Sequence, residues 1–373
     1  MIWVLAALAA GSVVFSALVI EAARRYLAVR PSPLKGTPPP VSVLKPVAGL
    51  DEGLEENLRS FFEQDYPRFE ILFAAHAAAD PAVAVVERLR AAYPGVASRL
   101  ILTGEPPYPN RKVRSLHLMT GEARHDLLVM SDSDIRVEHD FLQKIAAEFQ
   151  DERLDLTTCP YRAVPGSGIW PRLEAVMMNT EFLGGILVAR MMEGMRFAVG
   201  PTIVARRKVI EAIGGFESLR EYLAEDFVLG QRAAELGMGV GLSRVVMEHR
   251  IGTSGFAANV AHRLRWVRST RRSRPAGYVG QVFTYPVPLA LLLVGAWPAA
   301  WPVLLVVFPL RAAGAWMTAW CVLRDPLTRS HWWLVPLQDV FSFVFYLAGF
   351  FGNTIRWRGV DYVLRRGGRF ERK

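Results

Sequence analysis

Apolar residues are unevenly distributed along the chain, which has two apolar ends and a middle portion of mixed character. Residues 2–20 contain no charged side chain, and long apolar runs return after residue 281. Between them, short apolar runs alternate with stretches in which apolar residues recur at helical spacing. This pattern predicts membrane-spanning helices at both ends and a separate folded domain between them.

The first half of the middle portion alternates predicted strands with predicted helices. Residues 52–64 and 81–93 have the amphipathic pattern of helices. Buried strands are predicted for four apolar runs: VSVLKPV (41–47), EILFAAH (70–76), RLILTG (99–104) and DLLVMSD (126–132). Strands that alternate with helices form a parallel sheet covered on both faces, so the predicted fold class is α/β. Ligands of such sheets bind beyond the carboxyl ends of the strands.

The second half of the middle portion is less regular. LDLTTCPYRA and FAVGPTIVARR are predicted strands, and RKVIEAIGGF is a predicted short helix that ends at a glycine pair. LAEDFVLGQRAAELG is a further predicted helix with a glycine at its end. The segment AHRLRWVRSTRRSRP is strongly basic and partly amphipathic.

The N-terminal apolar run predicts a retained membrane anchor over 1–30. As a helix, residues 2–20 span roughly 30 Å, the thickness of a bilayer core. A cleaved signal peptide has basic residues before its apolar run, whereas here Arg24, Arg25 and Arg30 follow it. The positive-inside rule then places the chain after residue 30 in the cytoplasm. A Pro-rich linker over 31–40 leads into the predicted catalytic domain over 41–280.

The C-terminal apolar region, 281–353, predicts up to three further membrane passes, over 282–297, 298–323 and 332–352. The basic tail over 354–373 would then lie outside, although its Arg and Lys content predicts the inside. One of the apolar segments is therefore a candidate for a re-entrant or interfacial helix.

Composition narrows the functional classes. The two cysteines, Cys159 and Cys321, are far apart in sequence, which excludes a disulfide framework and zinc-site spacing from cysteines alone. The formal net charge is +9, and much of the positive charge flanks apolar segments. This distribution favours attraction to anionic lipid over nucleic-acid binding.

Two carboxylates one residue apart, Asp132 and Asp134, follow the last predicted parallel strand. Carboxylates are costly to desolvate without a positive partner. A hard divalent cation, Mg²⁺ or Mn²⁺, held by these carboxylates and by substrate phosphates would supply one. A solvated polar turn is the alternative.

Two more acidic positions allow both a structural and a chemical interpretation. Asp80 stands before Pro81 at the start of a predicted helix, which is typical of an N-cap, and a nucleotide-binding role is compatible with it. Glu225 and Asp226 stand near a helix start, where they compensate the helix dipole or provide a general base.

The last candidate element is the run from His262 to Trp266. Arg265 could pair with a diphosphate leaving group, and Trp266 could stack on a ligand. An amphipathic helix at the membrane surface is the alternative interpretation.

Together, four short motifs carry a resemblance to a known family: Asp80-Pro81, Asp132-Ser133-Asp134, Glu225-Asp226 and His262-x-x-Arg265-Trp266. They resemble the D, D, D and (Q/R)xxRW series of inverting glycosyltransferases with the GT-A fold, and most of all the ceramide glucosyltransferase group, glycosyltransferase family 21. The resemblance extends from the anchor to the WRGVDYVLRRGG tail. Bacterial hopanoid-linked N-acetylglucosaminyltransferases share most of it.

The resemblance implies a role for each donor-side residue. Asp80 would bind the uridine of a UDP-sugar, and Lys112 would contact the nucleotide. Asp132 and Asp134 would hold the metal on the diphosphate. Apart from the resemblance, Gly200-Pro201-Thr202 and His249 are further candidates to line the site.

The resemblance also implies roles on the acceptor side. Asp226 would be the catalytic base that takes the proton from a lipid's primary hydroxyl, while Arg265 and Trp266 would support the leaving UDP and shape the acceptor site. His262 departs from the family pattern, which has Gln or Arg at that position. Its hydrogen bonding depends on its protonation state.

The function predicted by this resemblance is a multi-pass enzyme of the inner membrane with a cytoplasmic catalytic domain. It would move a sugar from a UDP-sugar to a lipid, with glucose and ceramide as the named pair. A hopanoid acceptor, a processive polysaccharide synthase and a non-catalytic scaffold or transporter are the alternatives. The sequence identifies neither the sugar nor the oligomeric state.

Overall fold

A computed structural model describes residues 1–31, 33–357 and 359–373. The chain forms two compact units, each assembled from separate segments. The first, which we call the sheet unit, consists of Arg30–Val164 and Met195–Gly252. The second, the helical unit, consists of Met1–Val29, Pro165–Gly194 and Thr253–Lys373.

A seven-stranded mixed sheet forms the centre of the sheet unit. Its strands lie in the order Ala97–Leu102, Phe69–Ala75, Val41–Pro46, Leu127–Ser131, Thr202–Arg206, Leu156–Thr158 and Val240–Leu242. The first four are parallel, as predicted from the four apolar runs. Thr202–Arg206 is antiparallel to both of its neighbours, which makes the second half of the sheet mixed.

Helices lie between the strands in chain order and connect them. Their bounds are Leu54–Phe62, Pro81–Ala92, Arg111–Glu122, Phe141–Glu148, Arg207–Ala212 and Glu225–Glu235, with a 3₁₀ turn at Phe216–Leu219. The predicted helices at 52–64, 81–93 and 223–237 are confirmed within two or three residues. The short helix Arg207–Ala212 ends before Gly214 and Gly215, which have φ values of 85° and 75° that favour glycine.

A second, three-stranded sheet lies beside the carboxyl end of the central strand Leu127–Ser131. Its strands are ordered Ile135–Arg136, Met247–Gly252 and Tyr161–Pro165. The antiparallel register pairs His249 with Ile135. A residue far along the chain is thereby brought next to Asp134.

The helical unit contains the apolar ends of the chain. Its helices are Ile2–Ala28, Ile169–Met177, Met178–Phe182, Leu183–Glu193, Phe256–Ser273, Pro275–Gly280, Gln281–Thr284, Pro286–Ala296, Pro298–Ala300, Val303–Ala315, Trp316–Val322, Pro326–Ser330 and Leu334–Gly349. The C-terminal tail, predicted only as basic, forms a small antiparallel sheet of Thr354–Trp357, Val360–Leu364 and Phe370–Arg372, with a 3₁₀ turn at Arg366–Gly368.

Among the described residues, two helices are long and apolar enough to cross a membrane: Ile2–Ala28 and Val303–Val322. The pair Pro275–Thr284 and Pro286–Ala296 is bent by 68° and counts as a third only if it is one broken span. Leu334–Gly349 has 16 residues, about 24 Å of helix, which is shorter than a bilayer core. By length and composition, the four predicted passes become two or three.

The predicted catalytic domain over 41–280 stays a prediction, and its residues belong to both units. Residues 165–194 and the helix Phe256–Ser273 belong to the helical unit. Within that unit Gly184 packs against Val19 of the N-terminal helix: a Cβ at Gly184 would lie 3.3 Å from the Val19 side chain. The helix Leu183–Glu193 therefore packs closely against the N-terminal helix Ile2–Ala28.

Candidate active site

The two predicted metal-binding carboxylates follow the central strand Leu127–Ser131, at its carboxyl end. Asp132 Oδ1 lies 2.7 Å from Lys112 Nζ, and Asp134 Oδ2 lies 3.1 Å from His249 Nε2. Burial raises the pKa of Asp132 despite the charge of Lys112, and the charge of Asp134 adds to this increase. Burial would also raise the pKa of Asp134, but His249 holds it below its ordinary value.

Lys112 connects two acidic motifs that are far apart in sequence. Its Nζ is 2.7 Å from Asp132 and 3.0 Å from Glu225 Oε1. Burial acts to lower the pKa of Lys112, but the two carboxylates outweigh it and raise the pKa. Lys112 therefore remains charged, and its ion pairs with Asp132 and Glu225 keep the two carboxylates close together.

Asn110 holds the other oxygen of Glu225. Its side chain caps the helix Arg111–Glu122 by accepting from the backbone N–H of Val113 at 3.1 Å. Its Nδ2 donates to Glu225 Oε2 at 3.3 Å and to the Tyr222 carbonyl at 2.8 Å. The start of one helix is thereby joined to the start of the helix Glu225–Glu235.

The predicted base, Asp226, is in the first turn of Glu225–Glu235. Its carboxylate accepts a short hydrogen bond from the backbone N–H of Gly200. Burial, with the nearby charge of Glu225, raises the pKa of Asp226 to about 6. A general base is most effective when its pKa is near the working pH, so this shift suits proton abstraction.

Three of these charged residues, Lys112, Glu225 and Asp226, line a small cavity in the sheet unit. Among the side chains and backbone that line it are Lys112, Ser131, Gly200, Pro201, Glu225 and Asp226. A cation and a carboxylate of raised pKa therefore face the same space.

Gly230 allows the helix Glu225–Glu235, which carries Asp226, to pack closely against the backbone of Phe197 and Ala198. These two residues precede the strand Thr202–Arg206. A Cβ at Gly230 would lie 2.0 Å from the Ala198 backbone nitrogen. No side chain fits at this distance, so the glycine is required for the observed position of the helix.

Lys45, which the sequence analysis did not single out, lies beneath the aspartate pair. It is fully buried, and its Nζ donates to the Asp132 carbonyl at 2.5 Å and to Ser131 Oγ at 3.3 Å. The ammonium also lies 4.0 Å from the centre of the Phe61 ring. Burial lowers the pKa of Lys45 to about 7. In the sequence Lys45 stands near the end of a predicted strand, where an exposed lysine is common. Only the structure shows that its side chain is buried and contacts Asp132.

Asp80 is confirmed as a helix N-cap. Its Oδ1 accepts from the backbone N–H of Ala82 at 2.9 Å and from that of Gly49 at 2.8 Å. The second bond joins the loop after strand Val41–Pro46 to the start of helix Pro81–Ala92. The nucleotide role of Asp80 stays a prediction.

The chemistry of Asp132 and Asp134 fits a hard divalent cation. Mg²⁺ is commonly held by one or two carboxylates together with substrate phosphates. Asp134 Oδ1 is buried and has no hydrogen-bond partner in the part of the chain that the structure describes. Among those residues no group of three or more His, Cys, Asp or Glu side chains forms a ready metal cage. The unpartnered Asp134 Oδ1 and the carboxylate chemistry of the pair fit a metal whose other ligands are substrate oxygens.

The remaining predicted residues, His262, Arg265 and Trp266, are on the helix Phe256–Ser273 of the helical unit. The His262 ring centre lies 5.4 Å from that of Trp266, which in turn lies 5.4 Å from Phe182. His262 Nδ1 forms a short hydrogen bond with Glu174 Oε1. The predicted site residues are thus divided: Asp80, Lys112, Asp132, Asp134 and Asp226 belong to the sheet unit, and these three to the helical unit.

Comparison with known proteins decides the family. The sequence profile of "Glycosyl transferase family 21" matches residues 4–370. The chain belongs to glycosyltransferase family 21. The predicted membership is confirmed.

Two curated relatives of this family 21 protein come from Caenorhabditis elegans. Ceramide glucosyltransferase 1 is 30% identical over 222 residues, which cover 59% of this chain and 47% of the relative. Ceramide glucosyltransferase 3 is 28% identical over 234 residues, 62% of this chain and 50% of the relative. The chain spans about half the length of these curated relatives.

A solved structure confirms the GT-A fold of this family 21 protein. A mannosyltransferase from Pyrobaculum calidifontis, solved in complex with GDP-Man and Mn²⁺, superposes with a TM-score of 0.56. The two chains are 19% identical, and the match covers 93% of this chain and 98% of the mannosyltransferase. Similarity at this identity concerns the fold alone.

Proposed function

We propose that this family 21 glycosyltransferase moves glucose from UDP-glucose to the primary hydroxyl of ceramide, with inversion at the anomeric carbon. One observation carries the proposal: a carboxylate of raised pKa, Asp226, and a cation beside the aspartate pair, Lys112, line the same cavity. The names of the C. elegans relatives support the choice of sugar and acceptor.

In this proposal Asp132 and Asp134 hold Mg²⁺ or Mn²⁺. When bound, the ion neutralises charge that develops on the diphosphate of the leaving group. Lys112 adds a second positive charge beside Asp132. Asp80, fixed by its bonds to two backbone N–H groups, is assigned to the uridine of the donor.

Asp226 acts as the base in a single displacement. The lipid hydroxyl oxygen forms a bond to the anomeric carbon while the bond from that carbon to the phosphate oxygen breaks. The hydroxyl proton passes to Asp226, and the electron pair of the broken bond leaves with UDP. In-line attack converts an α-linked donor into a β-glycoside. With a pKa of about 6, Asp226 is ionised at neutral pH and can accept the proton.

The helical unit is assigned to the acceptor. Its apolar helices would hold the enzyme in the inner membrane, with catalysis on the cytoplasmic side, where an amphiphilic lipid presents its head group. His262, Arg265 and Trp266 are assigned to the leaving UDP and the acceptor. Because the helix Phe256–Ser273 carries these three residues, we propose that the catalytic domain extends over 41–280 and includes this part of the helical unit.

A donor and acceptor screen tests this function. Purified enzyme in nanodiscs would receive UDP-glucose, UDP-galactose or UDP-N-acetylglucosamine with short-chain ceramide or a polyhydroxylated hopanoid. Each pair would be run with Mg²⁺, Mn²⁺ or EDTA, and products would be read by mass spectrometry. One hexose on ceramide, formed only with a divalent ion, is the expected result. An N-acetylhexosamine on the hopanoid would overturn the substrate assignment but keep the mechanism. A ladder of sugars would indicate a processive synthase.

A further inference from the structure

A buried carboxylate outside the predicted motifs joins two helices of the helical unit. Glu174, on helix Ile169–Met177, is 5% exposed. One of its oxygens accepts from Asn259 Nδ2 at 2.5 Å, and the other bonds His262 Nδ1. Both partners are on the helix Phe256–Ser273. A buried charge is tolerated when it is hydrogen-bonded in this way.

These contacts determine how the His262 ring is presented. A histidine has two ring nitrogens, and the bond made by one determines what the other can offer. With Nδ1 bound to Glu174, Nε2 is the nitrogen left for another partner. The ring also packs edge-on against Trp266, with an interplanar angle of 61°. Asn259, one turn before His262, holds the second oxygen of Glu174 and so limits rotation of the carboxylate.

We propose that Glu174 is a positioning residue that acts through His262. Gln or Arg, the residues usual at position 262 in the family pattern, both offer an N–H donor on a flexible chain. The histidine here replaces them. The Glu174 carboxylate accepts from Nδ1–H and fixes the ring. Nε2 then takes the place of that donor in the imidazolium form, whose positive charge the carboxylate balances. This inference rests on the proposed function, in which the helix Phe256–Ser273 supports sugar transfer.

A purely structural role for Glu174 is the competing explanation. The carboxylate could simply join helices Ile169–Met177 and Phe256–Ser273, in which case its loss would matter equally whatever residue occupies position 262. Positioning predicts instead that the effect depends on histidine. A double-mutant cycle separates the two explanations because it isolates the coupling between residues in contact.

The cycle uses Glu174→Gln and His262→Gln. Glu174→Gln removes the charge that strengthens the bond to Nδ1 and leaves one acceptor oxygen for two donors. In the parent protein we expect a fall in kcat of about tenfold or more, as for other residues that orient a functional histidine, with KM for the UDP-sugar within about twofold. In the His262→Gln background, the same substitution should change kcat by less than about twofold, because an amide at 262 offers its own donor.

Two further measurements keep the outcomes distinct. The melting temperature of each variant shows whether it folds, and ¹⁵N NMR of labelled histidine in nanodiscs should show the His262 Nδ1 signal shift on Glu174→Gln. Equal losses of kcat in both backgrounds, or no loss in either, would overturn the inference while sugar transfer by the parent protein stands. If the parent protein transferred no sugar from any UDP-sugar, the proposed function itself would fail.

Discussion

The Asp226 carboxylate accepts a hydrogen bond from the backbone N–H of Gly200, and a Cβ at position 200 would lie 2.7 Å from Asp226 Oδ2. Two segments that are 26 residues apart therefore meet at the proposed base, with no room for a side chain at Gly200. The placement of this carboxylate depends on a glycine as much as on the aspartate itself.

Gly200→Ala should displace Asp226 and lower kcat, by up to about 100-fold, because small misplacements of a reacting group are that costly. Steady-state kinetics with saturating UDP-glucose and ceramide measure the effect. Gly121→Ala is the matched control, since a Cβ at that position meets nothing within 4 Å. Parent-like activity in Gly200→Ala would show that the position of Asp226 does not limit turnover.

The pH dependence of turnover should report the pKa of Asp226. Only the ionised carboxylate can accept the hydroxyl proton, and burial with the charge of Glu225 raises its pKa to about 6. We expect kcat/KM, which reports the free enzyme, to be level above about pH 7, to be half-maximal near pH 6 and to fall about tenfold per pH unit further below. Rates between about pH 4 and pH 8, with circular dichroism as a check on folding, measure the profile. If the rate declined only near pH 4, the ordinary pKa range of aspartate, burial would not raise the pKa of the catalytic base.

Asp134→Asn should weaken divalent-cation binding. Asp134 provides a buried oxygen, Oδ1, that has no hydrogen-bond partner among the described residues, and an amide is a poorer ligand for a hard ion. Titration of Mn²⁺ followed by electron paramagnetic resonance, with UDP present, should show affinity reduced about tenfold or more. Asp126→Asn serves as control, because the Asp126 side chain is 95% exposed. Unchanged Mn²⁺ affinity would remove Asp134 from the proposed metal site.

Gly230→Ala should destabilise the sheet unit. Its Cβ would lie 2.0 Å from the Ala198 nitrogen, so the helix Glu225–Glu235 would have to move away from this segment. Overpacking of this kind costs about 1–3 kcal/mol, and the shift would carry Asp226 with it. Thermal unfolding and kcat should therefore both decline, whereas Gly121→Ala should leave both near the parent values. Retention of both in Gly230→Ala would show that the helix can relax at no cost.

The sequence predicted the part of the fold that local apolar pattern determines. The parallel strands, such as Leu127–Ser131, are continuous apolar runs because both faces of the sheet are covered. The cap at Asp80 and the position of Asp132 after a buried strand follow from equally local rules. These features need no knowledge of distant segments.

Features that depend on distant contacts were not predictable in this way. The antiparallel placement of Thr202–Arg206 and the approach of His249 to Asp134 result from long-range register. Lys45 is an unremarked strand residue until its burial is known. Glu174 lies in a segment for which no element was predicted, and its partners Asn259 and His262 are 85 and 88 residues away in sequence.

Asp226 is the proposed base, and Asp226→Asn removes the carboxylate that would accept the proton. The variant should also be more stable at neutral pH. Because the folded-state pKa is raised, the native protein binds this proton more tightly than the unfolded chain, so stability falls as pH rises from about 4 to about 6 and stays lower above. The amide at position 226 of the Asp226→Asn variant does not ionise, so this loss of stability is absent. The variant's melting temperature at pH 7.5 should therefore be higher than that of the parent protein by at least about 2 °C.

The deciding measurement is a single-turnover assay of Asp226→Asn beside Asp126→Asn, with UDP-glucose affinity measured on the same samples. We expect Asp226→Asn to bind UDP-glucose like the parent protein and to form no detectable glucosylceramide, while Asp126→Asn turns over normally. Formation of glucosylceramide by Asp226→Asn at a rate near that of the parent protein would show that Asp226 is not the base.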